Sequence, residues 1–305
     1  MSENPIEVKQ LVKTYGDFNA VDGLDMVVHR GEVFALLGPN GAGKTTAVEI
    51  MVGTRTRTSG EVSILGEDPG KDRRAWRARV GVVPQNTADF AELTVREVVS
   101  HFTAFYPNPF DPDELIEMVG LTAKSRSRAS SMSGGQRRRL DVAVGMAGRP
   151  DVLFLDEPTT GLDPEARRQA WDLVRFFKER NVTTVLTTHY LDEAEALADR
   201  AGIIARGRMR QVGTLSELTT LAGHTTQVIC DPIDKDEPRL PKELAVPFND
   251  HTGRVSLATD QPTRVVQELA SWAKERGHDE VPGLIVKRPT LEDTYLALVS
   301  LEKTE

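Results

Sequence analysis

Residues 32–46 read Glu32-Val33-Phe34-Ala35-Leu36-Leu37-Gly38-Pro39-Asn40-Gly41-Ala42-Gly43-Lys44-Thr45-Thr46. A short apolar run, 32–37, leads into a glycine-rich loop, and a helix is expected from about Lys44. The loop fits G-x-x-x-x-G-K-[ST] in the strand-to-helix setting that the pattern requires. Its glycines let the backbone curl so that successive N–H groups converge on one anion, and the helix start adds its positive end. Gly38, Pro39, Asn40, Gly41, Ala42, Gly43, Lys44, Thr45 and Thr46 are therefore the expected cradle of a nucleoside triphosphate. Lys44 carries an ammonium to the β- and γ-phosphates, and the Thr45 hydroxyl suits Mg²⁺. A plain glycine turn would need neither the lysine nor the two threonines.

A second apolar run, Val152-Leu153-Phe154-Leu155, ends in Asp156-Glu157-Pro158, 112 positions after Lys44. A buried strand that ends in two carboxylates completes a Walker A and Walker B pair. Asp156 is expected in the Mg²⁺ shell, and Glu157 is expected to polarise the attacking water. Phosphoryl transfer needs little covalent help, so placing a water and neutralising charge is most of the work.

The segments around these motifs set the architecture. Stretches 6–15 and 21–28 alternate apolar and polar residues as antiparallel edge strands do. From about 88 to 150 the pattern is helical, with a capping box at Thr94-Val95-Arg96-Glu97 and a further run over 113–119 before Gly120. A helix is expected over 165–179 and a strand over 183–188. Strands that alternate with helices argue for a mostly parallel sheet covered on both faces. The expected fold is α/β, a P-loop nucleotide hydrolase with a mostly parallel sheet. It carries an N-terminal antiparallel β subdomain, an inserted helical subdomain over about 88–150 and a small C-terminal α+β domain. The nucleotide-binding domain is expected over 1–220 and an accessory domain over 221–305, because composition shifts to proline and charge at 231–247.

Composition narrows the partners. The chain has 305 residues, 39% hydrophobic and 28% charged, as in an ordinary globular protein. Its net charge of −8 disfavours phosphate-backbone binding, so no nucleic acid is expected. Residues 221–305 hold 10 basic and 15 acidic residues, a poor nucleic-acid arm. The basic clusters Arg73, Arg74, Arg77, Arg79 and Arg137, Arg138, Arg139 are expected to be solvated helix faces. One cysteine, Cys230, fits a reducing cytoplasm. Residues 1–5 lack a basic segment followed by an apolar run, so no secretory signal is expected. No apolar run approaches the roughly 20 residues needed to cross a bilayer, so a membrane role has to go through a partner.

Met132-Ser133-Gly134-Gly135-Gln136 resembles the signature sequence of ATP-binding cassette (ABC) proteins, usually written with leucine where Met132 stands. It is also a helix N-terminus, with Ser133 as N-cap and glycines that permit close backbone approach. A second anion-binding helix end in a chain with one P-loop implies a nucleotide held by another subunit. In the family two cassettes dimerise head to tail, so the resemblance implies that Ser133, Gly134, Gly135 and Gln136 serve the partner's ATP. The resemblance carries further. Gln85, in Val82-Val83-Pro84-Gln85, matches the glutamine that reaches Mg²⁺ and the water. Asp163, in Gly161-Leu162-Asp163, matches the loop that faces the other subunit. His189 matches the switch histidine on the γ-phosphate, and Tyr15 the aromatic that stacks on adenine. His29, His101, His224, His251 and His278 match nothing and are left as structural.

The resemblance covers about residues 5–220 and implies an ATPase that uses ATP and Mg²⁺. Non-transport members with two cassettes, or with a long coiled coil between Walker A and signature, fit poorly. Only 89 positions separate Lys44 from Ser133, without sustained heptads. Intact Lys44, Glu157 and His189 argue against a non-hydrolysing regulator, and the signature argues against a kinase-like P-loop enzyme. The tail Pro289-Thr290-Leu291-Glu292-Asp293-Thr294-Tyr295-Leu296-Ala297-Leu298 is similar to the C-terminal segment of drug- and antibiotic-resistance exporter subunits. The expected role is thus the ATPase subunit of an exporter, held on the cytoplasmic face of the membrane by a separate permease. An importer, a lipid or polysaccharide exporter, or a non-transport soluble ABC ATPase are the alternatives. The stretch 86–106 is the expected dock for the permease.

Overall fold

The computed structural model describes residues 4–71, 74–85, 90–221, 225–231, 254–288 and 290–300. His224, His251, residues 86–89 of the expected dock and most of the proline- and charge-rich stretch lie outside them. The chain divides into two compact units, Met1–Leu215 and Ser216–Glu305.

In the first unit, β1 (Ile6–Tyr15) and β2 (Phe18–Val28) form an antiparallel pair, with Ile6 opposite Val28 and Tyr15 opposite Phe18. Next come β3 (Val33–Leu37), α1 (Lys44–Met51) and β4 (Ser59–Ile64), which pairs with the free side of β1. β1 is therefore the centre of a β2-β1-β4 sheet and not an edge strand. Alternation reports which face is buried and says nothing about how many neighbours a strand has.

The chain continues through α2 (Arg74–Arg77) and β5 (Val80–Val83) into a helical segment. That segment holds α3 (Val95–Thr103), α4 (Pro112–Met118) and α5 (Gly134–Met146). No strand occurs among its described residues. α3 starts on the expected capping box: Glu97 N donates to Thr94 Oγ1 at 3.3 Å, and Thr94 N donates back to Glu97 Oε2 at 2.8 Å. α4 starts on Asp111 with Pro112 in its first turn, where a missing N–H costs nothing.

Then follow β6 (Val152–Asp156), α6 (Pro164–Glu179), β7 (Thr183–Thr188), α7 (Leu191–Leu197), β8 (Arg200–Ala205) and β9 (Arg208–Thr214). Six strands form one sheet in the order β5-β6-β7-β3-β8-β9, parallel except for the last pair. β3, β6 and β7 are buried at every position, as strands covered on both faces must be. Phe34 and Phe154 are fully buried here, and truncating either to alanine would cost about 3–5 kcal/mol. Because β6, β7 and β3 are neighbours and parallel, their carboxyl ends open onto the same sheet edge. In open α/β sheets that edge is where ligands bind.

The second unit holds α8 (Leu215–Leu221), β10 (Thr226–Cys230), β11 (Val255–Thr259), α9 (Pro262–Glu275), β12 (Ile285–Lys287) and α10 (Leu291–Ser300). Its three strands are antiparallel in the order β11-β10-β12. Val228, Cys230, Val255 and Leu257 pack with Val265, Leu269 and Ala273 of α9 into a core of their own. Thr290 caps α10 reciprocally with Asp293, and Thr294 Oγ1 donates to Leu218 O at 3.0 Å.

Candidate functional site

The loop after β3 is shaped by what its glycines must approach. A Cβ on Gly38 would lie 2.4 Å from Ile204 O, and one on Gly43 would lie 2.2 Å from Ala20 O. Gly43 also has φ 103°, a conformation that glycine adopts without strain. Ala42 N donates to Pro39 O at 3.1 Å and closes the turn. α1 then begins with no side-chain cap and no acidic residue in its first turn. Its leading N–H groups are thus left for an incoming anion, and a phosphate fits them.

Lys44 is buried, and its Nζ donates to Gly38 O at 2.7 Å and Pro39 O at 3.2 Å. It also lies 3.7 Å from Glu157 Oε1. Burial pushes its pKa down, while the Glu157 and Asp156 carboxylates push it back up. The ammonium is held in place by acceptors of the protein's own, ready to exchange them for phosphate oxygens.

β6 delivers the acidic pair. Thr45 Oγ1 donates to Asp156 Oδ1 at 3.4 Å, and Thr187 Oγ1 bonds to the same oxygen. Thr45 and Asp156 thus offer two hard oxygens to one spot, a donor set that suits Mg²⁺. Glu157 is 9% exposed and has φ 45°, left-handed for a residue with a side chain. Its N–H donates to Thr187 O at 3.1 Å and Thr187 Oγ1 at 3.0 Å. Its carboxylate accepts from Gln85 Nε2 and Thr160 Oγ1, both at 3.0 Å, and lies 3.3 Å from His189 Nδ1. Glu157 is therefore a fixed acceptor ringed by the sequence-predicted Lys44, Gln85 and His189.

Tyr15, Asn40, Gly41, Gly43, Lys44, Thr45, Thr46, Gln85 and Glu157 line one cleft of about 450 Å³, together with Phe18 and Ala20. Tyr15 is 42% exposed, with Lys13 Nζ 5.0 Å from its ring centre and the Arg55 guanidinium 5.5 Å away. An exposed aromatic face at the mouth of a phosphate cleft can stack on a base.

The signature lies in a different cleft. Ser133 Oγ accepts from Gln136 N at 3.3 Å and Gln136 Oε1 accepts from Ser133 N at 3.2 Å, a capping box that starts α5. A Cβ on Gly135 would meet Ala166 Cβ at 2.6 Å, so glycine is needed there to pack on α6. Ser133, Gly135, Gln136 and Asp163 line this second cleft of about 210 Å³. Asp163 caps α6 through Ala166 N at 2.8 Å.

Sequence reasoning missed Phe18, Thr160, Thr187 and, above all, Arg138. The expected solvated face does not hold for that arginine: it is 9% exposed and donates to the backbone carbonyls of Pro84, Asp156 and Pro158. Arg139 is half-buried and donates to Val119 O and Gly120 O, closing the end of α4. Nothing in the local sequence separates an arginine that binds carbonyls from one that binds water. A buried carboxyl near the site also went unforeseen. Glu193 is fully buried, accepts from Trp171 Nε1 at 3.3 Å, and burial raises its pKa.

The chain matches the ABC transporter family over residues 21–160. It is 38% identical to a Nod factor export ATP-binding protein I of Burkholderia thailandensis, over 99% of each chain. The chain belongs to the ABC transporter ATP-binding proteins. A daunorubicin resistance ATP-binding protein of Streptomyces coeruleorubidus is 36% identical to this cassette, over 98% of this chain and 96% of its own. A solved ATP-binding subunit of an ABC transporter matches with a TM-score of 0.65 at 27% identity, covering 72% of this chain and 93% of that one. A dimeric bacterial ABC transporter cassette matches with a TM-score of 0.62 at 25% identity, covering 69% and 98%. This cassette is accordingly a P-loop ATPase that binds and hydrolyses ATP.

Proposed function

We propose that this cassette is the ATP-hydrolysing subunit of an exporter whose membrane-spanning part is a separate polypeptide. The names of its relatives, Nod factor export and daunorubicin resistance, support export. Among the described residues no helix is long and apolar enough to cross a membrane. In this reading the cassette is held on the cytoplasmic face by its permease. Residues 1–220 are the nucleotide-binding domain in this reading, and 221–305 an accessory domain.

The residue roles in this reading come from the family resemblance, and the lining of the Lys44 cleft supports them. Gly38, Pro39, Asn40, Gly41, Ala42, Gly43 and Thr46 wrap the phosphates, and Lys44 exchanges its loop carbonyls for β- and γ-phosphate oxygens. Tyr15 stacks on adenine. Thr45, Asp156 and Gln85 would hold Mg²⁺, which would neutralise phosphate charge. Glu157 accepts a hydrogen bond from the attacking water and orients it, while His189 contacts the γ-phosphate. Ser133, Gly134, Gly135, Gln136 and Asp163 serve the ATP of a second copy in a head-to-tail dimer. Their separation from the Lys44 cleft supports that division, as does the dimeric state of a solved relative.

The permease docks beside the helical segment. A mostly apolar groove of about 740 Å³ is lined by Ala75, Ala78, Ala104, Phe105, Tyr106 and Pro107. Phe105 is 60% exposed there and stacks edge-on with Phe102 and His101. A short amphipathic segment of the permease is the occupant that an apolar groove flanked by Arg74 and Arg77 fits.

The observation that carries this function is Glu157, fixed at the end of β6 between Lys44, Gln85 and His189. Glu157→Gln keeps the side chain's shape and leaves Asp156 in place, but removes the charge that orients water. ATP binding by that variant, followed by a fluorescent analogue, is expected to match the wild type. Hydrolysis is expected to fall by about a hundredfold or more. Hydrolysis at the wild-type rate would remove Glu157 from the chemistry.

A further inference from the structure

One guanidinium grips the backbone on both sides of Glu157. Arg138 donates from Nε to Pro158 O at 2.8 Å, from Nη2 to Asp156 O at 2.9 Å and from Nη1 to Pro84 O at 2.8 Å. The first two carbonyls flank Glu157. The third immediately precedes Gln85, whose amide donates to Glu157 Oε2. Three nitrogens thus tie together the two segments that build the water-facing side of the cleft.

The grip matters because Glu157 needs holding. Its φ of 45° is a conformation that a residue with a side chain keeps only when the surroundings over-determine it. Two constraints come from β7, through Thr187 O and Thr187 Oγ1. Thr160 N adds a bond to Glu157 O at 3.4 Å, and Arg138 adds two on the carbonyls either side. Only arginine can do this from one position, since its planar fork sets five N–H groups in fixed directions. A lysine is a point donor on a flexible stem and reaches one carbonyl at a time. Arg138 is itself buried, which lowers its pKa, and the Asp141, Asp156 and Glu193 carboxylates around it offset part of that effect. It stands on α5, five residues after Ser133, so the helix that starts with the signature is bolted to the backbone around Glu157.

We infer that Arg138 is a positioning residue for ATP hydrolysis, fixing the Glu157 carboxylate and the Gln85 amide in the arrangement that orients the attacking water. This rests on the proposed role of Glu157. Arg138 touches neither nucleotide nor water in this account, so losing it should slow hydrolysis without weakening ATP binding.

The test uses the full chain, with ATP affinity from a fluorescent analogue, single-turnover phosphate release and a thermal melt. Arg138→Lys is expected to hydrolyse ATP about 10- to 100-fold more slowly at unchanged affinity. Arg138→Leu should be slower still, so that the lysine variant recovers part of its loss. Should the leucine variant fail to fold, the lysine variant carries the test alone. Combined with Glu157→Gln, Arg138→Lys should cost nothing further, because it acts through the carboxylate already removed. The inference is overturned if Arg138→Lys turns over at the wild-type rate while Glu157→Gln is inactive. It is also overturned if affinity and melting temperature fall together with the rate, or if the two substitutions multiply. Full activity of Glu157→Gln by itself would instead defeat the underlying assignment before Arg138 is touched.

Discussion

The two clefts of this cassette are built on opposite principles. Around Glu157, side chains are buried and partnered within the protein: Lys44 on loop carbonyls, Glu157 on Gln85 and Thr160, Asp156 on Thr45 and Thr187. Around Ser133 the residues are exposed or half-buried, and the helix end is satisfied by its own capping box. The first is a preorganised site in which charge and geometry are fixed before ligand arrives. In the proposed dimer the second is a docking edge. Shape and backbone donors are present there, and the one cation in its lining, the half-buried Arg139, is partly committed to Val119 O and Gly120 O. A cleft of that kind gains its function from what is brought to it.

That contrast can be broken most easily at Lys44. Lys44→Ala removes the ammonium that lines the phosphate cleft, and each charge-assisted bond to phosphate is worth about 1.5–3 kcal/mol. ATP affinity is expected to fall by roughly a hundredfold while the melting temperature changes little, as titration and a thermal melt would report. A variant that binds ATP normally would show that the loop does not hold the phosphates.

A smaller effect is expected at the other cleft. Ser133→Ala deletes a helix cap, which costs about 1 kcal/mol of stability. ATP affinity of the isolated chain should not move, because Ser133 does not line the Lys44 cleft. A clear loss of affinity in the monomer would merge the two clefts into one.

The smallest effect is expected from removing the second unit beyond α8. A chain ending at Leu221 keeps every residue of both clefts and should bind Mg-ATP with wild-type affinity. Equilibrium titration checks this, and an unfolded product would show that the large sheet depends on the C-terminal unit.

Much of the phosphate cleft was legible in the sequence, for a physical reason. A loop that curls around phosphate needs glycine where a Cβ would strike backbone, as at Gly38 and Gly43, and such needs leave a fixed spacing. Strand ends were legible because β3, β6 and β7 are apolar throughout. What escaped is whatever depends on the partner and not on the residue. β1 alternates like an edge strand whether or not β4 pairs with it. Arg137, Arg138 and Arg139 look alike in the sequence, yet Arg138 bonds to backbone carbonyls around Glu157 and Arg139 to the end of α4. Thr160 and Thr187 are ordinary residues made functional by the turn of Glu157 toward them.

The central claim is that ATP completes a site shared by two copies, and one measurement addresses it directly. Moving such an equilibrium from mostly open to mostly closed takes about 5.5 kcal/mol of differential binding. Several bonds from the Ser133 helix end to the partner's γ-phosphate can supply that. Glu157→Gln, slow to hydrolyse, should hold the closed state long enough to be weighed. Size-exclusion chromatography with light scattering, with and without Mg-ATP, is expected to show this variant as a dimer only when ATP is present. Adding Ser133→Arg should return it to monomer, since the new side chain occupies the space that the phosphate needs. A Glu157→Gln chain that binds ATP yet stays monomeric at saturation, or a dimer indifferent to Ser133→Arg, would contradict the shared site.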